Sequence, residues 1–222
     1  MASASFMPVE VAFTRTVAIA AEIVDGVSLR RIRSGIEVGA TGLKRAPVVN
    51  ASGLWIWISE AGATAQAIVV ISPDGIYAGA STTPVAPPAC RRIELAPTPR
   101  YRFGPGTTAM RGTLVERTGS SILGTGSTTP VGGALIRLQW TDDNGWHDAP
   151  LASPTDADGA FAAVLRLPAE AEAVSDADGA LSVRLTITRG SLVRTSAALP
   201  LRPGAVRSLS QPLIWDELPP VP

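Results

Sequence analysis

The residue types that most often do chemistry are scarce in this chain. It holds one cysteine, Cys90, and one histidine, His147, among 222 residues. A thiol and an imidazole can form a nucleophile and its base, but no third group recognisable as an orienter of the base accompanies them. One histidine also cannot supply a zinc site built from several imidazoles. We therefore predict no catalytic residue and no enzymatic activity, with Cys90 as a small buried side chain and His147 exposed in a loop.

Two short acidic segments offer oxygen atoms at a spacing that suits calcium. They are Asp156-Ala157-Asp158-Gly159 and Asp176-Ala177-Asp178-Gly179. Neither is followed by the distal glutamate and further carboxylates of a complete calcium loop. The alternative is a tight turn in which the aspartate caps backbone N–H groups. We favour the turn, so the sequence predicts no bound metal and no cofactor.

Tryptophans form the remaining group of chemical interest. Trp140, Trp146 and Trp215 could provide a platform on which sugars stack. Alternatively, Trp140 and Trp146 form a cross-strand pair beside the hairpin turn Asp142-Asp143-Asn144-Gly145. We favour the pair, because one apolar pair near a turn does not define a groove. A small-molecule ligand is therefore not expected, and carbohydrate binding stays as an alternative.

Short strands must position these residues. Glycine and proline occur 21 and 19 times and separate short apolar runs, a pattern typical of many strands rather than long helices. The predicted strands include Val9 to Thr16, Leu54 to Ile58, and a hairpin formed by Leu181 to Thr188 and Leu192 to Leu199. Ala169 to Ala173 is the one candidate for a helical turn. The sequence thus predicts an all-β fold.

The chain length suits two modules of about 100 residues each. The segment from Ala96 to Gly106 has the prolines of a stiff connector and carries the aromatic residues Tyr101 and Phe103. We expect these two rings to pack into a junction between two small β-sandwich modules. The predicted division is module one at 1–96, the connector at 97–110 and module two, with an extended C-terminal tail, at 111–222.

The two halves of the chain repeat the order of their motifs. Placing Asn50-Ala51-Ser52-Gly53-Leu54-Trp55 over Asp156-Ala157-Asp158-Gly159-Ala160-Phe161 matches a polar turn, a glycine and an aromatic strand in both halves. Ser34 to Val38 likewise resembles Gly132 to Leu138. An internal repeat is the simplest account of this agreement.

Three motifs of the second half resemble a known family. They are Arg111-Gly112-Thr113-Leu114-Val115, Pro130-Val131-Gly132-Gly133-Ala134-Leu135-Ile136 and Thr155-Asp156-Ala157-Asp158-Gly159-Ala160-Phe161. This pattern resembles the carboxypeptidase regulatory-like domain, a small transthyretin-like β-sandwich, and Ala18 to Leu95 resembles a divergent second copy. The resemblance implies a non-catalytic accessory that spaces or docks other parts. The two-module arrangement also resembles small proteins associated with phage-tail-like contractile injection particles.

Charge and hydropathy limit the partners. Nineteen basic and nineteen acidic residues balance, so no net field attracts nucleic acid or an anionic membrane. Met1 to Glu10 lacks the basic and apolar regions of a signal peptide, and no run approaches the roughly 18 apolar residues of a membrane span. We predict a cytoplasmic protein, or part of a released particle, with neither a nucleic-acid partner nor membrane insertion.

Two apolar stretches are candidates for contact with other protein subunits. Phe161 and Ala163 alternate with Ala160 and Ala162 and are expected to face the core of module two, so the repeat places Trp55 and Trp57 toward the core of module one. Leu54, Ile56 and Ile58 then lie on the opposite face, where their own chain or a partner covers them.

The C-terminal tail is the second candidate, through Leu213 and Trp215. It either docks on a neighbouring subunit by strand addition or folds back on module two. We predict a structural protein that joins, caps or decorates a larger assembly, a phage-tail-like contractile particle among the candidates. The alternative is a carbohydrate- or surface-binding β-sandwich.

Overall fold

Strands dominate the computed structural model, which describes residues 16–59, 63–83, 89–118, 127–171, 173 and 175–221. The all-β prediction is confirmed, and the predicted strand Val9 to Thr16 falls outside these ranges except for Thr16. No helix among the described residues has the length and apolar character needed to cross a membrane. The strands are β1 (Val17–Asp25), β2 (Glu37–Thr41), β3 (Val48–Val49), β4 (Trp55–Ile58), β5 (Ala67–Ile71), β6 (Ala80–Thr82), β7 (Ala89–Leu95), β8 (Ala109–Thr118), β9 (Ser127–Pro130), β10 (Leu135–Asp142), β11 (Gly145–Pro154), β12 (Ala160–Val164), β13 (Leu181–Arg189), β14 (Leu192–Thr195), β15 (Leu199–Leu201), β16 (Val206–Ser208) and β17 (Leu213–Ile214).

Module one is a sandwich of two sheets. One sheet has the strand order β3-β4-β1-β7 and the other the order β2-β5-β6. Alternating side chains of β1, β4 and β7 point at the second sheet, as a half-buried strand requires. The core they enclose includes Ile19, Ile23, Trp57, Ile68, Val70 and Leu95.

Module two is a larger sandwich with its own core. One sheet has the order β12-β8-β16, with β9 and β17 also paired to β8, and the other has the order β11-β10-β13-β14, with β15 paired to β13. The buried side chains between these sheets include Met110, Leu114, Ile136, Leu138, Phe161, Leu185 and Ile187. No strand is shared between the sheets of the two modules among the described residues, so each module buries its apolar face within itself.

The strand pairing repeats from one module to the other. In module one, β1 pairs antiparallel with β4 and parallel with β7. In module two, β8 pairs antiparallel with β12 and parallel with β16. The second sheets match as well, because β2-β5-β6 corresponds to β10-β13-β14. This shared topology agrees with the internal repeat inferred from the sequence.

One turn geometry occurs three times among the described residues. In Asn50–Gly53, Asp156–Gly159 and Asp176–Gly179, the side-chain oxygen of the first residue accepts a hydrogen bond from the N–H of the fifth, and the first N–H donates to the fifth carbonyl. The glycines have φ of +81°, +72° and +74°, where a side chain would be strained. The polar-turn match between the modules therefore has a structural basis.

The position of helical turns differs from the sequence prediction in two segments. Within the candidate helical turn Ala169–Ala173, the described residues 169–171 and 173 are not helical, and the N–H of Ala171 donates to the carbonyl of Pro168. A short 3-10 helix instead occupies Trp215–Glu217, within the proline-rich tail. A helix of three residues is too short to produce a repeating pattern of apolar residues, so the sequence shows no sign of it.

Candidate functional site

Cys90 and His147 lie in different modules and form no pair. Cys90 is exposed, so the prediction that it is buried is wrong. Its strand, β7, alternates, and because Ile93 and Leu95 point into the core, Cys90 points outward. The placement of His147 in an exposed loop is also wrong. It belongs to β11 and is half-buried, with its ring stacked on Trp140 and its Nε2 2.8 Å from a carboxylate oxygen of Asp142.

The acidic turns use their carboxylates on their own backbone. Oδ1 of Asp156 accepts hydrogen bonds from the N–H groups of Asp158 and Ala160 at 3.0 and 2.8 Å. Asp176 makes the equivalent pair of bonds. These are the capping bonds expected of a turn. Within the described residues, no cluster of three or more histidine, cysteine, aspartate or glutamate side chains could hold a metal ion.

The tryptophans present no open platform for a sugar. Trp55, Trp57, Trp140 and Trp215 are buried, and the half-buried ring of Trp146 is covered by a guanidinium group 4.4 Å from its centroid. The predicted Trp140–Trp146 cross-strand pair is wrong, since the register sets Trp140 opposite His147 and Trp146 opposite Thr141. Successive strand residues face opposite sides of a sheet, which separates the two indoles.

The C-terminal tail folds back on module two, the second of the two predicted arrangements. Leu213 pairs with Leu114 at the edge of β8 and is half-buried. The side chain of Trp215 is 3% exposed and packs into the core of the module. The backbone N–H of Thr195 then donates to Pro219, so the tail links both sheets. Leu213 and Trp215 are thus engaged within their own module.

The first sheet of module one has an apolar outer face. Trp55 and Trp57 point into the core as predicted, with exposed fractions of 9% and 1%. Leu54, Ile56 and Ile58 consequently face outward and are half-buried. Their strand therefore carries large apolar side chains on both sides, which is typical of a strand covered on both faces.

One row of this outer face crosses all four strands. Val48 of β3 lies opposite Ile56 of β4, Ile56 lies opposite Ala20 of β1, and Ala20 lies opposite Cys90 of β7. Residues directly opposite one another share a face of the sheet. Val48 is 62% exposed and Cys90 is exposed, so both ends of the row are open. We call these four residues the outer row.

Charged side chains flank the outer row on one side. Glu22, two residues beyond Ala20 on β1, forms an ion pair with Arg31 at 2.6 Å and lies 3.8 Å from Arg92. Arg92 in turn lies 3.3 Å from Glu94. An apolar centre bordered by partly exposed charges is the usual arrangement of a protein–protein contact surface.

The junction between the modules is organised by the carboxylate of Asp25, at the end of β1. Its Oδ2 accepts hydrogen bonds from the hydroxyls of Tyr101, at 2.6 Å, and Tyr77, at 3.2 Å. Its Oδ1 accepts from the backbone N–H groups of Val27 and Ser28. Asp25 is 8% exposed, so these bonds offset its removal from water. One side chain therefore holds the connector against module one.

A second set of contacts joins the modules directly. Arg166, two residues beyond β12, donates one hydrogen bond to the carbonyl of Gly26 and another to the carboxylate of Glu94. A Cβ atom at Gly26 would lie 2.9 Å from a methyl group of Leu151, so module two packs against this glycine. The structure thus fixes the modules against each other by an ion pair and a close apolar contact.

The aromatic connector lies in the junction, as expected. The ring of Tyr101 packs edge-on against Tyr77 and lies 5.1 Å from Phe103. The guanidinium of Arg111 covers Phe103 at 4.9 Å and donates a hydrogen bond to the carbonyl of Tyr101. Strand β8 is therefore anchored to the connector at its start.

Alkaline pH should weaken the junction. Burial, together with the charge and hydrogen bond of Asp25, raises the pKa of Tyr77 to about 12 and raises the pKa of Tyr101 as well. Unfolded tyrosine ionises near pH 10, so the unfolded chain loses its protons first. The stability that these hydroxyls contribute is therefore complete below about pH 10 and falls as pH rises toward about 12.

Urea unfolding midpoints between pH 9 and 12 test this expectation. Tyr77 and Tyr101 are the two tyrosines of the chain, so a Tyr77→Phe/Tyr101→Phe variant contains none. We expect a smaller alkaline decline in this variant than in the unmodified protein. Equal declines in both would contradict the role given to these hydroxyls.

Sequence reasoning found the connector aromatics but missed Asp25 and Arg166. Asp25 precedes a glycine, as many turn residues do, and Arg166 follows a strand. Neither position distinguishes them from other polar residues at strand ends. The side chains and carbonyl that they contact across the junction lie 52 to 140 residues away, so no local pattern indicates these contacts.

The chain shows little similarity to proteins of known family or structure. No family model matches it, and no curated protein matches its sequence. A solved structure of the Bacillus anthracis TIE protein aligns with 87% of this chain and 33% of that chain, with a TM-score of 0.26 and 12% sequence identity. This chain thus spans about a third of the length of that protein. A TM-score and an identity this low do not establish a shared fold or function, and the resemblance to the carboxypeptidase regulatory-like domain stays a prediction.

Proposed function

We propose that this protein is a non-enzymatic docking protein that joins or caps subunits of a larger assembly. The observation that carries the proposal is the outer row, which places Val48, Ile56, Ala20 and Cys90 side by side on an open sheet face. A protein subunit with an apolar surface would cover this row, and burial of apolar area would supply the main free energy of the contact.

The joined modules support this role. A docking protein that sets the spacing of two partners needs a fixed angle between its own parts. The bonds of Asp25 to the connector and of Arg166 to module one provide such a restraint. Preorganisation of this kind reduces the entropy lost on binding.

The assembly to test first is a phage-tail-like contractile particle, because the two-module arrangement resembles proteins associated with such particles. The protein, tagged in its native cell, is sedimented after gentle lysis, and the proteins that travel with it are quantified by mass spectrometry. We expect a fixed stoichiometry with sheath- and tube-like subunits. A protein that stays at the top of the gradient would contradict the proposal.

Ile56→Asp tests the surface itself. A charge at the centre of the outer row would be buried without a partner, so we expect the bound fraction to fall at least about tenfold. Ile71→Asp is the matched control, because Ile71 belongs to the same module, is 51% exposed and lies on the other sheet. Thermal unfolding would show whether both variants are folded. Unchanged assembly of a folded Ile56→Asp protein would refute the proposed surface.

A further inference from the structure

A cleft of about 960 Å³ opens where the two modules meet. Residues of three segments line it, namely the loop after β1, the connector and the end of β12. All three segments contribute guanidinium groups. They belong to Arg30, Arg31, Arg33, Arg102 and Arg166.

The cleft carries an excess of positive charge although the whole chain is neutral. Asp25 supplies the one carboxylate among the described residues that line it, and both of its oxygens already accept hydrogen bonds from Tyr77, Tyr101 and the loop backbone. Arg31 and Arg166 are paired with Glu22 and Glu94.

The remaining three guanidinium groups have no counter-charge within the part of the chain that the structure describes. Arg30, Arg33 and Arg102 are exposed, and none forms an ion pair with a described residue. The balanced composition of the chain therefore conceals a local basic site, because opposite charges are distributed unevenly over the fold.

The loop that presents the arginines is held in one shape. The N–H of Asp25 donates to the carbonyl of Arg30 at 2.9 Å, and the N–H of Ile32 donates to the carbonyl of Ile23 at 2.8 Å. Leu29, at the tip, has φ of +60°, a conformation that a branched side chain rarely adopts. Backbone strain of this kind is most often retained where the loop has a binding role. The guanidinium groups thus start from an ordered backbone, which lowers the cost of engaging a ligand.

The chemistry of the cleft favours a ligand with several carboxylates. A guanidinium group matches the geometry of a carboxylate with two parallel hydrogen bonds. Arg30 and Arg33 belong to the loop after β1 and Arg102 belongs to the connector, so three such groups are available to a ligand in the cleft. A cleft of about 960 Å³ accommodates a chain segment of a few residues.

The aromatic side chains of the cleft argue against single-stranded nucleic acid. Proteins that bind it use open aromatic faces on which bases stack. The hydroxyls of Tyr77 and Tyr101 are bound to Asp25, and the two rings pack edge-on against each other with centroids 5.7 Å apart. Neither ring is therefore free to act as a stacking platform.

We propose that the inter-module cleft binds an acidic peptide segment of a partner protein, with Arg30, Arg33 and Arg102 as the carboxylate-binding residues. This inference rests on the proposed function in one respect, because it takes the partner to be a protein subunit. It adds a second surface, with a different chemistry, to the apolar outer row.

Binding of a labelled hexa-glutamate peptide to the whole 222-residue chain, followed by fluorescence anisotropy at low salt, tests the proposal. We expect saturable binding that weakens as salt is added, and no binding of a hexa-glutamine peptide of the same length. The variant Arg30→Ala/Arg33→Ala/Arg102→Ala should bind hexa-glutamate at least tenfold more weakly. The control variant Arg117→Ala/Arg137→Ala/Arg202→Ala removes the same net charge outside the cleft and should bind like the unmodified protein.

The outcomes separate this inference from the proposed function. Absence of hexa-glutamate binding, equal loss in both triple variants, or equally tight binding of a single-stranded oligonucleotide of the same charge would overturn the cleft assignment. The exposed single variant Arg102→Glu provides the same test if the triple variant does not fold. Ile56→Asp should keep its affinity for the peptide, so failure of the outer row and failure of the cleft are distinguishable.

Discussion

Gly159→Ala should lower the free energy of unfolding of module two by about 4 kcal/mol, the sum of backbone strain and overpacking. Gly159 has φ of +72°, and a Cβ atom at this position would lie 2.3 Å from the carbonyl oxygen of Leu114. That carbonyl accepts a hydrogen bond from Val131, and the N–H of Leu114 donates to Gly159. Because the close atom belongs to the backbone of a central strand, no side-chain rotation can relieve the contact.

Gly179→Ala is the matched control for this prediction. Gly179 occupies the same position of an identical turn, with φ of +74°, but no atom lies within 4 Å of the place its Cβ would take. We expect a loss of about 1 kcal/mol, the cost of the positive φ alone. Native-state hydrogen exchange of the β8 and β12 amides would report the stability of module two. Equal losses for both variants would show that the contact with Leu114 does not govern stability.

Asp25→Ala should destabilise the protein by about 3 kcal/mol, since it removes a buried carboxylate and leaves the partners of four partly buried hydrogen bonds without their acceptor. The variant removes the acceptor of two tyrosine hydroxyls and of the backbone N–H groups of Val27 and Ser28. The connector would then lose its link to module one. We expect a wider distribution of angles between the modules together with the loss of stability.

Urea unfolding and small-angle X-ray scattering measure these two effects of Asp25→Ala. The Tyr77→Phe/Tyr101→Phe variant removes the hydroxyls but keeps the carboxylate, so its loss should be smaller and should not add to that of Asp25→Ala in the combined variant. Glu37→Ala, an exposed change on β2, is expected to alter neither measurement. Full additivity of the losses would contradict the proposed network.

Local patterns predicted the elements of this fold well. The repeat matches Trp55 and Trp57 to Phe161 and Ala163, which indicated the side of β4 that faces the core, and burial confirms it. The match between Asn50–Gly53 and Asp156–Gly159 indicated a repeated turn, and the hydrogen bonds of the two turns are equivalent. Such features depend on neighbours within about five residues, and the sequence displays them directly.

The wrong predictions concern residues whose spatial neighbours are distant in the chain, or whose side-chain direction depends on the strand register. Cys90 was expected to be buried because of its residue type. Side chains alternate along β7, however, and Cys90 lies on the outer side together with Arg92 and Glu94. Trp140 and Trp146 were predicted to pair because they flank the same turn, but the strand register sets Trp140 opposite His147. A shift of one residue reverses the face of every side chain on a strand, and residue type does not determine that shift.

The sequence by itself determined the β-class of this protein, its repeated turns and the apolar character of both sides of β4. Only the tertiary structure decided the junction, because Asp25 binds Tyr77 and Tyr101 across 52 and 76 residues and Arg166 reaches Gly26 across 140. The basic cleft has the same origin. Its arginines come from a loop, the connector and module two, and their charges add only when folding brings these segments together.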